Sequence, residues 1–322
     1  MLKEPIVINR LRLRNRIVMP PMATGRADRG MPDAPLADYY AARAGATGLI
    51  ILEHEYVSPE GMARGTQLSM ADDAVIPAYA ALAEAVHRRG AAIFAQLSHA
   101  GSQAHDSGLP AISPSGIPAR EGGGPSEPMT AEDIDRVRRA FAAAAVRARE
   151  AGFDGVEIHS AHGYLLNQFY SPLTNLRRDD YTGSTLAGRT RLHAEILRAV
   201  REAVGGDYPI AIRFGACDYR EGGSEIADIP AACRIFQEAG ADLLDISGGL
   251  NSYVIPGVTR PGWFSELSTA AKAGASVPVL LTGGVTTAAQ AEDLLRQGAA
   301  DLIGVGRAML KDPDWAVKAL AE

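Results

Sequence analysis

The 322-residue chain has only two cysteines, Cys217 and Cys233, and their spacing matches no metal or redox motif. This argues against disulfides and against an iron–sulfur cluster. The longest plain apolar run, Ala140–Val146, is far too short to span a bilayer. Acidic residues outnumber basic ones, 38 against 32, for a net charge of −6, which argues against nucleic acid or an anionic membrane as a partner. Charges interrupt the amino-terminal segment, so we expect no signal peptide and a cytoplasmic protein.

Aliphatic runs and alanine-rich amphipathic segments alternate eight times along the chain. The predicted strands are Ile17–Met22, Leu49–Val57, Ala92–Leu97, Gly155–His159, Ile210–Phe214, Leu243–Ser247, Val279–Thr282 and Leu302–Val305. The predicted helices are Ala37–Ala44, Pro77–Arg89, Ala131–Ala151, Arg189–Val204, Ile229–Ala239, Phe264–Ala273, Ala288–Gln297 and Pro313–Ala321. Continuous apolar strands indicate a parallel sheet buried on both faces. Eight such units predict a single-domain α/β protein, a (β/α)8 TIM barrel over residues 1–322. A doubly wound open sheet competes, but no G-x-G-x-x-G turn follows the first strand.

Local signals also place the helix ends. Six glycines fall just past predicted helices, where a left-handed residue is needed: Gly45, Gly90, Gly152, Gly240, Gly274 and Gly298. Thr130 and Asp133 have the spacing of a capping box and predict the start of the third helix.

One connection is unusually long. Residues 98–129, rich in Gly, Pro and Ser, separate the third strand from its helix. Strand-to-helix loops lie on the catalytic face of a barrel, and loops of this length are usually functional. We therefore predict a substrate lid with short structure of its own; the alternative is an excursion without a role.

The fourth predicted strand leads into His159, His162 and Tyr164, two imidazoles and a phenol on one turn. Such a group can bind a carbonyl-like oxygen and supply a proton. A metal pair is a second interpretation, although no H-E-x-x-H helix or acidic cluster surrounds it. A purely structural histidine pair is the third. The adjacent tyrosine favours the catalytic interpretation.

Glycines follow the last strands. Gly283 and Gly284 come after the seventh strand, Gly306 and Arg307 after the eighth. Free backbone N–H groups and a guanidinium suit a phosphate, which barrels commonly bind at this place. Gly248 and Gly249, after the sixth strand, are further candidate cofactor contacts. Tight turns alone are the alternative for all of these glycines.

Two polar residues lie inside predicted strands. Burying the charge of Arg213 inside a strand costs free energy unless the guanidinium contacts an anion or an electron-rich group. We interpret it as facing the electron-accepting edge of a cofactor; a simple pair with Asp245 is the alternative. The side-chain amide of Gln96 can form hydrogen bonds with the edge of a heteroaromatic ring. The alternative is a core amide whose hydrogen bonds are made with the backbone.

Several stretches together resemble the old yellow enzyme family of FMN-dependent ene reductases across almost the whole chain. They are RNRIVMPPM at 14–22, AQLSHAG at 95–101, HSAHGYL at 159–165, SPLTNLRRD at 171–179 and GVGR at 304–307. The resemblance implies bound FMN, NADPH or NADH as reductant, and an alkene activated by a carbonyl or nitro group as substrate. It also implies a homo-oligomer, dimer or tetramer.

The resemblance assigns roles to individual residues. His159 and His162 would bind the activating oxygen, and Tyr164 would protonate the α-carbon. Gln96 and Arg213 would contact the flavin's pyrimidine edge, and Gly283, Gly284, Gly306 and Arg307 its phosphate. Pro21, Met22 and Ala23 would lie along the ring. Two positions differ from the usual pattern of the family. Ala23 stands where many relatives carry Cys or Thr, and His54 stands where relatives usually have a small residue. Thr24 could replace the missing side chain, and His54 could narrow the pocket, contact substrate or point away.

Other functions are compatible with the same barrel. A family member can act as a dehydrogenase, demethylase or desaturase, or be the barrel part of a longer dienoyl-CoA-reductase-like enzyme. A non-redox aldolase or isomerase would need a Schiff-base lysine or metal-binding acids at strand ends, and Lys272 and Lys311 lie in or beside predicted helices. A catalytically silent FMN-binding protein would not need His159, His162 and Tyr164.

Overall fold

A computed structural model describes residues 1–321 and contains a closed eight-stranded barrel. The strands are β1 Ile6–Ile8, β2 Leu11–Leu13, β3 Ile17–Met19, β4 Leu49–Tyr56, β5 Leu68–Ser69, β6 Ala92–Ser98, β7 Ile112–Ser113, β8 Glu127–Pro128, β9 Gly155–Ser160, β10 Ile210–Gly215, β11 Leu243–Ser247, β12 Val279–Thr282 and β13 Leu302–Gly304. Parallel pairing runs β3-β13-β12-β11-β10-β9-β6-β4, and β4 pairs again with β3. The TIM-barrel prediction is confirmed.

Helices surround the barrel and also cap its carboxyl-terminal end. They are α1 Ala34–Arg43, α2 Ile76–His87, α3 Ala131–Glu150, α4 Leu165–Tyr170, α5 Leu186–Val204, α6 Ile229–Glu238, α7 Ser265–Gly274, α8 Ala288–Arg296, α9 Arg307–Lys311 and α10 Trp315–Ala321. Six predicted helices agree with α2, α3 and α5 to α8 within a few residues at each end, and the first begins three residues earlier, at Ala34, behind the N-cap Asp33. Thr130 and Asp133 form the predicted capping box.

Several elements differ from the prediction, and α4 and β5 were not predicted at all. β3 ends at Met19 rather than Met22, because Pro20 and Pro21 have no N–H to donate to a neighbouring strand. The antiparallel hairpin β1–β2 was not predicted, although two short aliphatic runs flank the turn at Asn9, whose φ is 52°. The eighth predicted helix, Pro313–Ala321, corresponds to α10, which begins two residues later at Trp315, and a short helix that was not predicted, α9, precedes it from Arg307.

Four of the six predicted helix-end glycines have positive φ: Gly90, Gly152, Gly240 and Gly298. The prediction is wrong for Gly45 and Gly274, which lie outside the left-handed region. Gly274 is required for a different reason, since a Cβ there would lie 2.1 Å from the carbonyl oxygen of Pro230.

The barrel interior is layered, and the layers explain where the polar residues lie. The hairpin residues Ile8 and Leu13 close the bottom on an apolar layer comprising Val18, Leu49, Ile51, Phe94, Ala211, Leu243, Leu280 and Leu302. Side chains on a strand alternate between faces, so the residues two positions further on also face inward. That step reaches Gln96, Arg213 and Asp245. The barrel interior therefore has a polar layer directly above the apolar layer that fills its bottom.

The long loop at 98–129 contains the short pair β7–β8 and packs against the segment that follows β9. Arg177 donates to the carbonyl oxygens of Pro114 and Met129, at 3.0 and 2.6 Å. The amide of Gln103 donates to the carbonyl oxygen of His162 at 3.1 Å. The loop thus has short structure of its own and contacts the histidine turn. Its role as a lid stays a prediction.

Candidate active site

His159, His162 and Tyr164 meet at the carboxyl-terminal end of β9. The ring centroid of His159 lies 5.2 Å from that of His162 and 5.1 Å from that of Tyr164, both edge to face. His162 has a φ of 61°, a conformation that non-glycine residues seldom adopt and that occurs often at functional sites. Tyr164 is the N-cap of α4, a helix absent from the prediction. The structure brings the three predicted catalytic side chains together.

Each imidazole of the pair has a nitrogen available to a ligand. His162 Nε2 lies 2.8 Å from Ser247 Oγ, where either atom can donate. His159 Nδ1 is buried without a hydrogen-bond partner among residues 1–321. The remaining nitrogens, His159 Nε2 and His162 Nδ1, have no hydrogen bond to the described part of the chain. Two neighbouring N–H groups can therefore point at one oxygen.

The surroundings fix the protonation of these groups. Burial, and then the neighbouring His162 and Arg213, hold the pKa of His159 well below its usual value. Burial and Arg213 do the same to the pKa of His162. Burial raises the pKa of Tyr164 above its ordinary value. At neutral pH the site therefore presents two uncharged imidazoles and a protonated phenol.

The floor of the site is the polar layer, in which Gln96, Glu157, Arg213 and Asp245 are buried. Gln96 Nε2 donates to Glu157 Oε1 at 2.8 Å. Burial raises the pKa of Glu157 well above its usual value, helped by the negative charge of Asp245. Burial raises the pKa of Asp245 to about 6, opposed by Arg213. Glu157 is thus held neutral, whereas Asp245, with a pKa of about 6, is ionised at neutral pH and offsets the charge of the Arg213 guanidinium.

The position of Arg213 is compatible with both interpretations made from the sequence, a pair with Asp245 and a contact with the edge of a cofactor. Its Nε lies 3.4 Å from Asp245 Oδ2, too poorly aligned for a hydrogen bond. Its two terminal nitrogens have no hydrogen-bond partner among residues 1–321. A buried guanidinium with unused donors suits an electron-rich group above the floor.

The glycine turns after β12 and β13 lie beside Trp263, which the sequence analysis missed. A Cβ on Gly283 would lie 2.9 Å from Trp263 Nε1, and one on Gly284, whose φ is 68°, would lie 2.5 Å from the same indole. The Arg307 guanidinium lies 5.2 Å from the indole centroid. Trp263 Nε1 is buried and has no partner within residues 1–321. An orphaned N–H, a guanidinium and two glycine turns together suit an anion.

Gly248 and Gly249 are explained by loop packing. A Cβ on Gly248 would lie 2.1 Å from the carbonyl oxygen of Ser252, and one on Gly249 would lie 2.3 Å from Asp218 Oδ1. The N–H of Gly249 donates to the carbonyl oxygen of Cys217 at 2.9 Å. Glycine is therefore needed here whatever binds nearby, and a cofactor contact stays a prediction.

The segment after β3 runs beside the end of β13. A Cβ on Gly306 would lie 3.2 Å from the sulfur of Met22. Thr24 does not replace the side chain missing at Ala23, because its hydroxyl donates to Glu53 Oε1 at 2.6 Å and its N–H to Glu53 Oε2 at 2.8 Å. Pro21 and Met22 are half-buried and Ala23 is exposed.

A cavity of about 310 Å³ lies between the long loop and Tyr164, with Arg64 and Arg120 also on its wall. Among residues 1–321 no cluster of three or more His, Cys, Asp or Glu side chains is arranged to hold a metal ion. Within the same residues, no helix has the length and apolar character needed to cross a membrane.

Comparison with known proteins places this geometry in a family. The model of the NADH:flavin oxidoreductase / NADH oxidase family matches residues 1–322. An NADPH dehydrogenase of Bacillus licheniformis is 38% identical over 308 residues, which are 94% of this chain and 89% of that protein. The crystal structure of an old yellow enzyme homologue from Zymomonas mobilis superposes with a TM-score of 0.89 at 28% identity, covering 99% of this chain and 92% of the other.

A longer relative shares the barrel as well. An NADH oxidase of Thermoanaerobacter brockii is 41% identical over 322 residues, which are 97% of this chain and 49% of that enzyme. The chain therefore spans about half the length of the first curated relatives it matches. On the match of the family model to all 322 residues, the chain belongs to the NADH:flavin oxidoreductase / NADH oxidase family.

Proposed function

We propose that this chain reduces alkenes activated by a carbonyl or nitro group, using FMN and NADH or NADPH. The observation that carries the proposal is the cluster at the end of β9, in which His159 and His162 have uncharged N–H donors beside the protonated phenol of Tyr164. Oxygen binding and carbon protonation are what the polarised alkene requires from the protein.

Family membership makes FMN the cofactor and NADH or NADPH the reductant. The residues present fit FMN. The unpartnered nitrogens of Arg213 suit its electron-rich ring edge, while Arg307 and the unpartnered Trp263 Nε1 suit its phosphate. Held by these residues, FMN would supply the hydride-transfer chemistry between NADH or NADPH and the β-carbon of the alkene.

The chain's own residues then have three tasks. His159 Nε2 and His162 Nδ1 bind the activating oxygen and stabilise the negative charge that develops on it. Tyr164 delivers the phenolic proton to the α-carbon and is reprotonated from solvent through the cavity beside it. The long loop at 98–129, which lines that cavity, limits the access of water.

The test is an absorption spectrum of the purified protein, followed without oxygen by NADPH or NADH and then by cyclohexenone. We expect yellow flavin bands that bleach with the reductant and recover with the enone. Bleaching without recovery would favour a dehydrogenase, demethylase or desaturase on the same barrel. A colourless protein that takes up no added FMN would refute the proposal.

Replacing Arg307 by methionine should weaken FMN binding about 10- to 100-fold, because a charged hydrogen bond to the phosphate is lost. Trp263→Phe should weaken it about fivefold, since only the indole donor is removed. Quenching of FMN fluorescence on titration into the apoprotein measures both effects. Trp315→Phe is the matched control, because its indole donates to the carbonyl oxygen of Thr286 at 2.8 Å. Equal weakening by all three variants would contradict the phosphate assignment.

The alkene step should depend little on pH. The lowered pKa values keep His159 and His162 uncharged, and the raised pKa of Tyr164 keeps its phenol protonated. We therefore expect less than about a twofold change in the rate between roughly pH 7 and pH 8, which is above the pKa of about 6 of Asp245 but within the range in which an unperturbed histidine still titrates. Stopped-flow recovery of the yellow absorption with cyclohexenone measures it. A rate that follows a titration near neutrality would show that the histidines are not held neutral.

The homo-oligomer, dimer or tetramer, stays a prediction, for which light scattering after size-exclusion chromatography is the measurement. The cytoplasmic location and the absence of nucleic-acid and membrane partners stay predictions as well.

A further inference from the structure

His54 lies on the wall of the same pocket. The ladder between β4 and β6 shifts register between Ile51 and His54. The centroid of the His54 imidazole lies 6.5 Å from the centroid of the His159 ring, and the two rings are 29° from parallel. The same centroid lies 5.4 Å from the centroid of the Tyr164 ring, which it meets edge to face. Of the orientations left open by the sequence, the structure therefore selects the one that faces the catalytic residues.

A buried glutamine fixes which nitrogen of His54 carries the proton. Gln67 Oε1 accepts the N–H of Ala63 at 2.7 Å, so the amide NH2 group must face the opposite way. That NH2 group lies 2.7 Å from His54 Nδ1. An amide N–H can only donate, so Nδ1 accepts, and the proton of a neutral imidazole is on Nε2.

The imidazole is uncharged. Burial, with a smaller effect of Arg64, lowers the pKa of His54 to about 4. The other titratable groups facing it are His159, His162 and Tyr164, which are themselves neutral. His54 Nε2 has no hydrogen-bond partner within residues 1–321. A fixed and unused N–H donor therefore lies on the pocket wall, separate from the His159–His162 pair.

We propose that His54 Nε2–H binds a second acceptor oxygen of the substrate, and that Gln67 positions it. The inference rests on the proposed function, in which the first oxygen binds to His159 and His162. Two donor sites, with Tyr164 close to both, select alkenes that lie between two acceptor groups. The substrate class is therefore the unsaturated dicarbonyl compounds, such as ene-diones and cyclic imides, rather than simple enones.

The test compares cyclopentenedione, whose alkene lies between two carbonyl groups, with cyclopentenone, which has one. His54→Phe keeps a flat ring and removes the donor. We expect it to lower kcat/KM for the dione about tenfold and for the monoketone less than twofold, the effect of one lost hydrogen bond. His54→Gln keeps an N–H donor and should restore most of the loss. His87→Gln, at the end of α2, is the matched control.

Gln67→Glu tests the positioning role separately. A carboxylate accepts from Nδ1–H, so the proton leaves Nε2 and the pKa of His54 rises. The selectivity for the dione should fall at high pH and recover at low pH, where both ring nitrogens carry protons. Nitrogen NMR of the imidazole, assigned by its loss in His54→Gln, should show the proton on Nε2 in the native chain and on Nδ1 in this variant.

The outcomes separate the two claims. If His54→Phe lowers turnover of both ketones equally, His54 only shapes the pocket and the inference is wrong while the proposed function stands. If the native protein reduces neither ketone, the proposed function fails. In that case calorimetric binding of both ketones to the FMN-loaded protein still decides the inference, since an unchanged ratio of the two Kd values in His54→Phe would overturn it.

Discussion

Replacing His159 and His162 together by alanine is expected to slow alkene reduction by roughly a thousandfold or more, because the activating oxygen loses both donors. Flavin reduction by NADH or NADPH should fall far less. The physical reason is that both imidazoles are uncharged and each has at least one nitrogen without a hydrogen-bond partner among residues 1–321. Stopped-flow absorbance measures the two half-reactions separately: bleaching by the nucleotide, then recovery with cyclohexenone.

The double replacement needs a control variant because of the backbone conformation at His162. Its positive φ makes alanine strained there, so a loss of stability could imitate a loss of catalysis. His162→Gly avoids this, because glycine adopts a positive φ without strain and has no side-chain donor. Thermal melting of each variant completes the comparison. Equal losses in both half-reactions, in variants that melt normally, would mean that the pair is structural.

Replacing Tyr164 by phenylalanine is expected to slow alkene reduction by about a hundredfold or more, because general-acid catalysis by a positioned side chain contributes at least that much. Reduction of a quinone or of oxygen should stay near the native rate, since no carbon is protonated in either. Tyr164 is half-buried beside the cavity, and loss of its hydroxyl leaves the ring contacts with His54 and His159 in place.

The choice of acceptor is therefore the internal control for Tyr164. Recovery of the flavin absorption is followed with cyclohexenone, with a quinone and with oxygen on the same reduced sample. If all three acceptors slow alike, Tyr164 is not the proton donor. Tyr170→Phe is a matched variant, because Tyr170 is buried on the same helix and packs against Phe214 rather than toward the pocket.

The predicted site consists largely of residues at the carboxyl ends of the barrel strands, and local sequence patterns locate these strand ends well. Continuous apolar runs predicted all eight barrel strands. The structure then showed that alternation along these strands brings Gln96, Arg213 and Asp245 into one inward layer. The short spacing from His159 to Tyr164 was enough to bring three rings within about 5 Å of each other, because they share one turn.

Residues that reach the site from distant loops gave no such signal. Trp263 comes from the segment before α7 and lies against turns some twenty residues further along the chain. Gly248 and Gly249 show the same limit: contacts with Ser252 and Asp218 already require glycine there, and the predicted cofactor contact stays a prediction. A local pattern contains no information about which loop will pack against which.

The sequence by itself determined the barrel, the family and the turn that brings His159, His162 and Tyr164 together, since each follows from short-range periodicity or from contiguous motifs. Only the tertiary structure decided the orientation and tautomer of His54. Those depend on a bulge in β4, on the fixed amide of Gln67 and on rings contributed by β9 and α4. A histidine's proton is placed by its hydrogen-bond partner, and that partner is brought to it by folding.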